Sequence, residues 1–273
     1  MYPVPTSLSP SRVESFTSCP MAFRFSSIEK LPEAPSPHMT KGSLVHRALE
    51  LLFAAAPAAR TEAHAAACLQ QATDEYATDP EMVLLGLSDD EREEFAADAG
   101  SLVQSYLRME DPRTVREIGL ELRLEAQVGP LALRGIIDRL ELDASGALVV
   151  TDYKTGRSPG VKYEQARLAG VQFYSFLCES VLGVRPATVR LMYLRTGETI
   201  ETVPSAQAVR FITTRANAVW RAVEKACTTG DFRPRPSALC NGCSFKAWCP
   251  AFGGDPDRAA IEAPLAIARL AAA

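Results

Sequence analysis

Two acids and a lysine near the middle of the chain have types and a spacing suited to hydrolytic chemistry. Asp138 lies in "GIIDRLELD", and Asp152 and Lys154 lie in "ALVVTDYKTG". Both segments are predicted to be strands joined by a turn at Ser145-Gly146, and alternation places Asp152 and Lys154 on one face. Two carboxylates on that face would bind a hard cation such as Mg²⁺ or Mn²⁺, and the lysine would stabilise negative charge as it develops. This is the equipment for metal-assisted phosphodiester hydrolysis.

The elements that must position these residues form an α/β pattern. Helices are predicted over 7–30, 41–56, 62–78 and 88–109, and strands over 116–129, 131–143 and 147–156. A helix over about 163–182, a strand over 187–197 and a long helix over about 205–228 follow. The order predicts a single domain over 1–273, with a mixed sheet flanked by helices and a helical insertion at about 57–112.

Composition limits the classes of function. The chain has 273 residues, 47% of them apolar, and a formal net charge of -4. This charge argues against a general nucleic-acid coat, which is usually basic, but it leaves room for a local basic channel. We see no run of about 18 apolar residues and no secretory signal, so we expect a cytoplasmic protein with no membrane partner.

Three of the seven cysteines are closely spaced near the end of the chain. "CNGCSFKAWCP" places Cys240, Cys243 and Cys249 in C-x2-C-x5-C spacing, which indicates a metal site that needs a fourth ligand. An odd number of cysteines in a chain expected to be cytoplasmic argues against disulfides. Three other cysteines lie in apolar or helical segments and are predicted to be small core residues: Cys68, Cys178 and Cys227.

The acidic motifs, taken in order, resemble those of the PD-(D/E)XK nuclease superfamily. "GIIDR", "DYKTG" and an upstream G-x-x-x-H element in "KGSLVHRALE" resemble its RecB-like branch, which includes the AddB nuclease domain and the CRISPR-adaptation nucleases. The resemblance implies a restriction-endonuclease-like fold. It also implies that His46, Asp138 and Asp152 hold Mg²⁺ or Mn²⁺, with the carbonyl of Tyr153 as an additional ligand, and that Lys154 is the catalytic lysine.

The resemblance also implies a fourth ligand for the cysteine site. One subgroup of the family has a single cysteine near the N-terminus and three near the C-terminus, and Cys19 in "SFTSCPMAFRF" matches the first. Four thiolates suit a [4Fe–4S] cluster, which would be a structural staple between about 9–25 and 236–252. Zinc is the alternative, because structural sites made of four cysteines are common for zinc.

One departure from the family concerns the helix after the lysine strand. Many relatives carry Gln-x-x-x-Tyr there, whereas this chain has Gln172 and Tyr174 only two residues apart. Positions two apart on a helix face different sides, so we expect one of the two, and not both, to help position DNA.

Four further residues near the motifs have open roles. Arg157 and Lys162 follow the lysine strand and could contact phosphates or lie on a solvated loop. Glu121 and Glu125 lie on the preceding strand, and alternation gives them one shared face. Some superfamily members use an additional glutamate, but ordinary solvent-facing side chains are the expectation for both.

The sequence therefore predicts a metal-dependent DNA nuclease. The expected activity is that of an exonuclease on single-stranded DNA or DNA ends, in repair or recombination. An alternative is a CRISPR-adaptation nuclease that processes spacers beside an integrase. A second alternative is a non-catalytic DNA-binding scaffold subunit of a helicase–nuclease complex. The chain has no G-x-x-x-x-G-K-[ST] motif, so unwinding would require a helicase partner.

Overall fold

The computed structural model describes residues 1–158 and 161–271, with the backbone alone over 161–171. Its helices, in chain order, are α1 (Pro10–Ser18), α2 (Pro20–Phe23), α3 (Pro37–Ala54), α4 (Glu62–Tyr76), α5 (Pro80–Leu84), α6 (Asp89–Met109), α7 (Val161–Leu182), α8 (Ala206–Thr229) and α9 (Ala259–Ala271). Its strands are β1 (Ser7–Leu8), β2 (Arg116–Val128), β3 (Leu131–Leu142), β4 (Leu148–Lys154), β5 (Thr188–Tyr193) and β6 (Glu198–Thr202).

The chain divides into two compact units. One consists of Met1–Ala34, Glu125–Arg134 and Arg210–Ala273, and the other of Pro35–Leu124 and Gly135–Val209. The predicted helical insertion at 57–112 lies within the second unit. The prediction of one domain over 1–273 stays a prediction.

The second unit is built on a mixed sheet, as the sequence predicted. Strand β4 lies between β3, to which it is antiparallel, and β5, to which it is parallel, and β6 pairs antiparallel with β5. Every residue of β4 except the last is buried, as expected for a central strand whose two faces are both covered. The parallel pair requires a crossover, and α7 provides it.

Helices α3, α4 and α6 form a core of their own against this sheet. Their buried side chains pack with Tyr153, Met192 and Leu194 from the strand region. The start of α6 is a capping box, because the Ser88 hydroxyl accepts from the main chain of Glu91 and the Glu91 carboxylate accepts from that of Ser88. Ser88 and Glu91 thus each satisfy a main-chain N–H of the other at the start of α6.

A buried arginine connects the segments that precede and follow the helical insertion. The Arg60 guanidinium donates to the main-chain carbonyls of Phe53, Ala55, Pro112 and Val115. It also donates to the Glu117 carboxylate at 2.5 Å. Phe53 and Ala55 lie at the end of α3, whereas Glu117 lies at the start of β2, so Arg60 joins the segments before and after the insertion.

Replacing Arg60 with alanine is expected to lower the free energy of unfolding by about 3 kcal/mol, because a carboxylate and several carbonyls lose a buried donor. Arg113→Ala is the matched control, since its side chain is 58% exposed and pairs only with the nearby Asp111. The control should lose less than about 1 kcal/mol. Urea denaturation followed by circular dichroism measures both, and equal losses would contradict the proposed role of Arg60.

The first unit differs from the sequence prediction at its N-terminus. The helix expected over 7–30 is interrupted at Cys19, which has an extended backbone with φ -156° and ψ 104°. Pro20 is the physical reason, since proline disfavours the helical conformation in the residue before it. Strand β1 pairs in parallel with Ala132 and Leu133, and the sequence analysis missed this pairing.

Two smaller differences lie in the second unit. The strand expected over 187–197 ends at Tyr193, and a turn that includes Gly197 at φ 68° leads into β6. The sequence analysis missed β6 and α5. No helix within 1–158 and 161–271 is long and apolar enough to span a membrane.

Candidate metal sites

The β3–β4 hairpin brings the two predicted acids together. Arg139 pairs with Thr151, so the same register places Asp138 beside Asp152 on the opposite face. Directly opposed side chains of an antiparallel pair lie on the same face and close together. Both carboxylates are largely buried, with side-chain exposures of 10% for Asp138 and 6% for Asp152.

Helix α3 contributes His46 to the same place. His46 Nε2 lies 3.0 Å from the carbonyl oxygen of Tyr153, and Nδ1 lies 3.5 Å from Asp138 Oδ2. The main-chain N–H of Tyr153 also donates to Asp138 Oδ2, at 2.7 Å. Gly42 precedes His46 by one helical turn, and a side chain there would stand 3.2 Å from the Thr155 hydroxyl. The absence of a side chain at Gly42 therefore leaves room for the segment that follows β4, one helical turn before His46.

A third acid, Glu121, reaches this site because β2 is irregular. Arg116 and Ile118 are exposed before the irregularity, whereas Arg123 and Glu125 are exposed after it. The exposed positions thus change from even to odd numbers, as they do across a β-bulge. Glu121 lies at the change with φ 43°, a conformation that is uncommon outside glycine.

The expectation of a solvent-facing glutamate is wrong for Glu121. Single donor atoms of His46, Glu121 and Asp138 all lie within 4.8 Å of one another. Glu125, in contrast, is exposed and pairs with Arg134 at 2.5 Å. Apolar residues alternate without interruption from 118 to 128, so the sequence contains no signal for the bulge that separates the two glutamates.

The hydrogen bonds of His46 show that the donor set fits a cation. A carbonyl oxygen can only accept, so Nε2 carries the hydrogen in its contact with Tyr153. In the neutral ring Nδ1 then presents a lone pair to Asp138. A ligating histidine ordinarily bonds a carbonyl or carboxylate through its other nitrogen in this way. Acceptor atoms of His46, Glu121 and Asp138 therefore face one another, as metal ligands do.

The pKa shifts of the acids at this site also favour a bound cation. Burial, followed by the nearby charge of Asp152, raises the pKa of Asp138 to about 7. Burial is also the main reason that the pKa of Glu121 is raised, with smaller contributions from Glu50 and Asp152. The site carries more buried negative charge than its protein partners balance, and a divalent cation would balance it.

Lys154 and Tyr174 both reach Asp152. The Lys154 ammonium contacts Asp152 Oδ2, and the Tyr174 hydroxyl lies beside the same carboxylate. Burial lowers the pKa of Lys154, but Asp152 and then Asp138 outweigh it, and the net shift is upward. Gly135 makes room for Tyr174, because a side chain at 135 would stand 3.2 Å from its ring.

The structure thus separates the two candidates on α7. Tyr174 contacts the acids, whereas Gln172 is half-buried and makes no side-chain hydrogen bond with the described side chains. Arg157 is exposed just beyond the lysine strand. The side chain of Lys162 lies outside the described residues. Asp152 lies beside the group formed by His46, Glu121 and Asp138, and not within it.

Comparison with known proteins identifies the family of this chain. Residues 7–250 match the PD-(D/E)XK nuclease superfamily. The chain belongs to this superfamily. No curated protein matches the sequence significantly.

The crystal structures that are similar to this nuclease-family chain include the following two. One, from Eubacterium rectale, is called a "Putative exonuclease"; it is 10% identical, with 87% of each chain covered and a TM-score of 0.52. This likeness supports the shared fold. The other, SSO0001, is 16% identical and covers 90% of this chain and 86% of its own, with a TM-score of 0.40.

The first unit of this PD-(D/E)XK protein holds the cysteine site. Cys19, Cys240, Cys243 and Cys249 line one recess, and its remaining lining is mostly apolar, including Met21, Phe25, Pro234, Pro236, Phe245 and Phe252. All four thiols predicted from the sequence therefore meet. The other three cysteines are buried elsewhere, which confirms their prediction as core residues: Cys68, Cys178 and Cys227.

Main-chain N–H groups point at the sulfur atoms of this recess. Arg235 donates to Cys19 Sγ at 3.5 Å, and Ser237 donates to Cys240 Sγ at 3.3 Å. Burial raises the pKa of Cys243, the N–H of Phe245 opposes it, and the other three cysteines raise it further. Thiolates gathered without a metal would repel one another, whereas N–H···S bonds favour the deprotonated, ligating form.

The raised pKa of Asp138 predicts how the stability of the metal-free protein depends on pH. The folded pKa of about 7 exceeds the ordinary value, so the folded state keeps a proton that the unfolded chain has lost. This contribution is complete below about pH 4 and is lost as the pH rises through 7. Asp138→Asn is expected to be more stable than wild type at pH 8, by about 2 kcal/mol, with the difference shrinking toward pH 5.

Urea denaturation after removal of divalent ions at pH 5, 6.5 and 8 measures this dependence. Asp143→Asn is the matched control, since Asp143 lies in the turn of the same hairpin. The Ser145 hydroxyl lowers the pKa of Asp143, so its effect should be constant from pH 5 to 8. A constant difference for Asp138→Asn as well would contradict the buried, proton-holding carboxyl.

Proposed function

We propose that this protein is a Mg²⁺- or Mn²⁺-dependent deoxyribonuclease of the RecB-like branch. The observation that carries the proposal is the convergence of His46, Glu121 and Asp138, whose donor atoms lie within 4.8 Å of one another. Asp152 and the carbonyl of Tyr153 are proposed as additional ligands. The Tyr153 oxygen has a second lone pair beyond the one that His46 uses.

The neighbouring side chains have distinct roles in this proposal. A bound divalent ion would activate water and offset the charge that develops on the phosphate. Lys154, 36% exposed and in contact with Asp152, presents its ammonium to the phosphate oxygens. The Tyr174 hydroxyl holds Asp152 in place, and the Tyr153 carbonyl fixes the tautomer of His46.

We propose single-stranded DNA or a DNA end as the substrate, in repair or recombination. Support comes from the G-x-x-x-H, GIID and DYKTG motifs and from the name of the Eubacterium rectale protein. Exposed Arg157 is proposed to contact a substrate phosphate, and Lys162 and Gln172 remain proposals for the same role. A helicase or an integrase is the proposed kind of partner, and the cytoplasm the proposed location.

We further propose that Cys19, Cys240, Cys243 and Cys249 hold a [4Fe–4S] cluster. The shared recess and the N–H donors to two of the sulfurs support a thiolate metal site, and the family resemblance of the four-cysteine pattern is the reason to propose a cluster and not zinc. The cluster would join the segment around Cys19 to the C-terminal cysteine segment. Its proposed role is structural.

Cleavage of labelled DNA by anaerobically purified protein tests the proposal. With Mg²⁺ or Mn²⁺, linear single strands are expected to shorten from an end, while a covalently closed circle of the same sequence stays intact. Equal cutting of the circle would show an endonuclease instead. If protein with a full complement of iron cuts neither DNA, the scaffold alternative is favoured.

Glu121→Gln and Glu125→Gln form a matched pair for the metal site, because each removes one charge from β2. Glu121→Gln is expected to cut at least about 100-fold more slowly and to bind Mn²⁺ more weakly. Glu125→Gln loses only an exposed pair with Arg134 and should match wild type. Equal activity of the two variants would remove Glu121 from the proposed ligands.

A further inference from the structure

A buried cluster of charged and aromatic side chains lies behind the acidic face of the sheet. Arg139 follows Asp138 on β3, so its side chain points to the other face, and it is fully buried. It therefore cannot contact DNA at the acidic face. We call the following residues the Arg139 cluster: Tyr106, Glu110, Arg139, Glu141, Tyr153 and Arg190.

The charged side chains of the Arg139 cluster pair with one another. Arg139 Nη1 donates to Glu110 at 2.5 Å, and its Nε contacts Glu141. Arg190 lies 3.2 Å from Glu141 and 3.7 Å from Glu110. Two guanidinium groups thus face two carboxylates. Buried ion pairs are often no more stabilising than well-packed apolar residues, so net stability is a weak explanation for this cluster.

Tyr153 connects this cluster to the proposed metal ligands. Its hydroxyl accepts from Arg139 Nη1 at 2.8 Å, and its ring packs edge-on against Tyr106. Its main chain faces the other way: the N–H donates to Asp138 Oδ2 at 2.7 Å, and the carbonyl contacts His46 Nε2 at 3.0 Å. Tyr153 therefore orients two of the three converging donors, those of Asp138 and His46. Its own side chain is held by Arg139 on the other face of the sheet.

We propose that the Arg139 cluster is a positioning device for the metal site. Through the Tyr153 hydroxyl it fixes the main chain of Tyr153, and with it the carboxylate of Asp138 and the ring of His46. Tyr106 and Glu110 lie at the end of α6 and just beyond it, so the helical insertion takes part in this positioning. The inference rests on the proposed metal site and extends it to side chains on the other face of the sheet, which touch neither metal nor DNA.

Tyr153→Phe tests the inference, because it removes one oxygen and keeps the ring. We expect the Kd for Mn²⁺, measured on metal-free protein by paramagnetic resonance, to rise about tenfold. With saturating metal, kcat should fall while KM for DNA stays the same, since no DNA contact changes. Tyr106→Phe, which loses its hydrogen bond to Glu110, should show a smaller change in the same direction.

Tyr76→Phe is the control. Tyr76 belongs to the same unit, and its hydroxyl lies beside Ser43, away from the cluster. The control is expected to keep the wild-type Kd for Mn²⁺ even if it unfolds somewhat earlier. Should Tyr153→Phe also keep that Kd, the cluster is merely structural and the inference is wrong. A wild-type chain that binds no Mn²⁺ would overturn the metal site itself, and the inference with it.

Discussion

Asp138→Asn is expected to abolish metal-dependent DNA cleavage, with a rate at least about 1,000-fold below wild type. Asparagine keeps the shape of the side chain and an oxygen for the Tyr153 N–H, but it removes the charge that binds the cation. A bound ion contributes several kcal/mol to a phosphoryl transition state, and about 4 kcal/mol corresponds to this factor. Titration with Mn²⁺ should show a parallel loss of affinity.

The same variant separates catalysis from stability. Because the pKa of Asp138 is raised in the folded protein, removing its charge should make the metal-free protein more stable at pH 8 while it abolishes activity. An inactive variant that is also unfolded would say nothing about catalysis, so the unfolding curve of Asp138→Asn must be measured together with its activity. Retained cleavage by folded Asp138→Asn would contradict the assignment of Asp138 as a metal ligand.

Cys249→Ser is expected to empty the cysteine site and to destabilise the first unit. Cys249 is 9% exposed, and a serine there would be a poor ligand for iron. Iron content should fall from about four atoms per chain to almost none, because the proposed cluster would need all four thiolates. A structural metal site contributes directly to folding, so the melting temperature should fall by about 10 °C or more.

Cys227→Ser is the matched control for this prediction. Cys227 is fully buried in the same unit, but it lies outside the recess formed by the four cysteines. The control should keep its iron and its visible absorption, with only a modest loss of stability. Purified wild type that contained one zinc ion per chain and no iron would contradict the proposed cluster while leaving the four ligands in place.

Local patterns were sufficient to predict the parts of the acidic site that lie on regular elements. Alternation and the Ser-Gly turn predicted the hairpin that opposes Asp138 and Asp152, because register in a short hairpin is set by its turn. His46 was expected at the site from the resemblance of "KGSLVHRALE" to the G-x-x-x-H element of the family. The order of helices and strands predicted the mixed sheet, since the elements that a sequence pattern encodes must bury their apolar faces against one another.

Tertiary structure decided the residues whose position depends on a distant contact. Glu121 turns toward His46 because β2 contains a bulge. A bulge depends on how the strand pairs with its neighbour, and the alternation of apolar residues in "REIGLELRLEAQV" gives no sign of it. Tyr174 reaches Asp152 because Gly135 lets α7 approach the sheet. In both cases the deciding partner is not a sequence neighbour.

The opposite orientations of Asp138 and Arg139 show the same division. Sequence alternation alone requires that the two side chains point to opposite faces. Only the packing of α3 and α6 against the sheet makes the second face a buried one, where Arg139 meets Glu110 and Tyr153. Short sequence motifs thus identify the residue types of the site. Long-range packing sets the positions of these residues, because the environment of a side chain depends on which distant elements cover it.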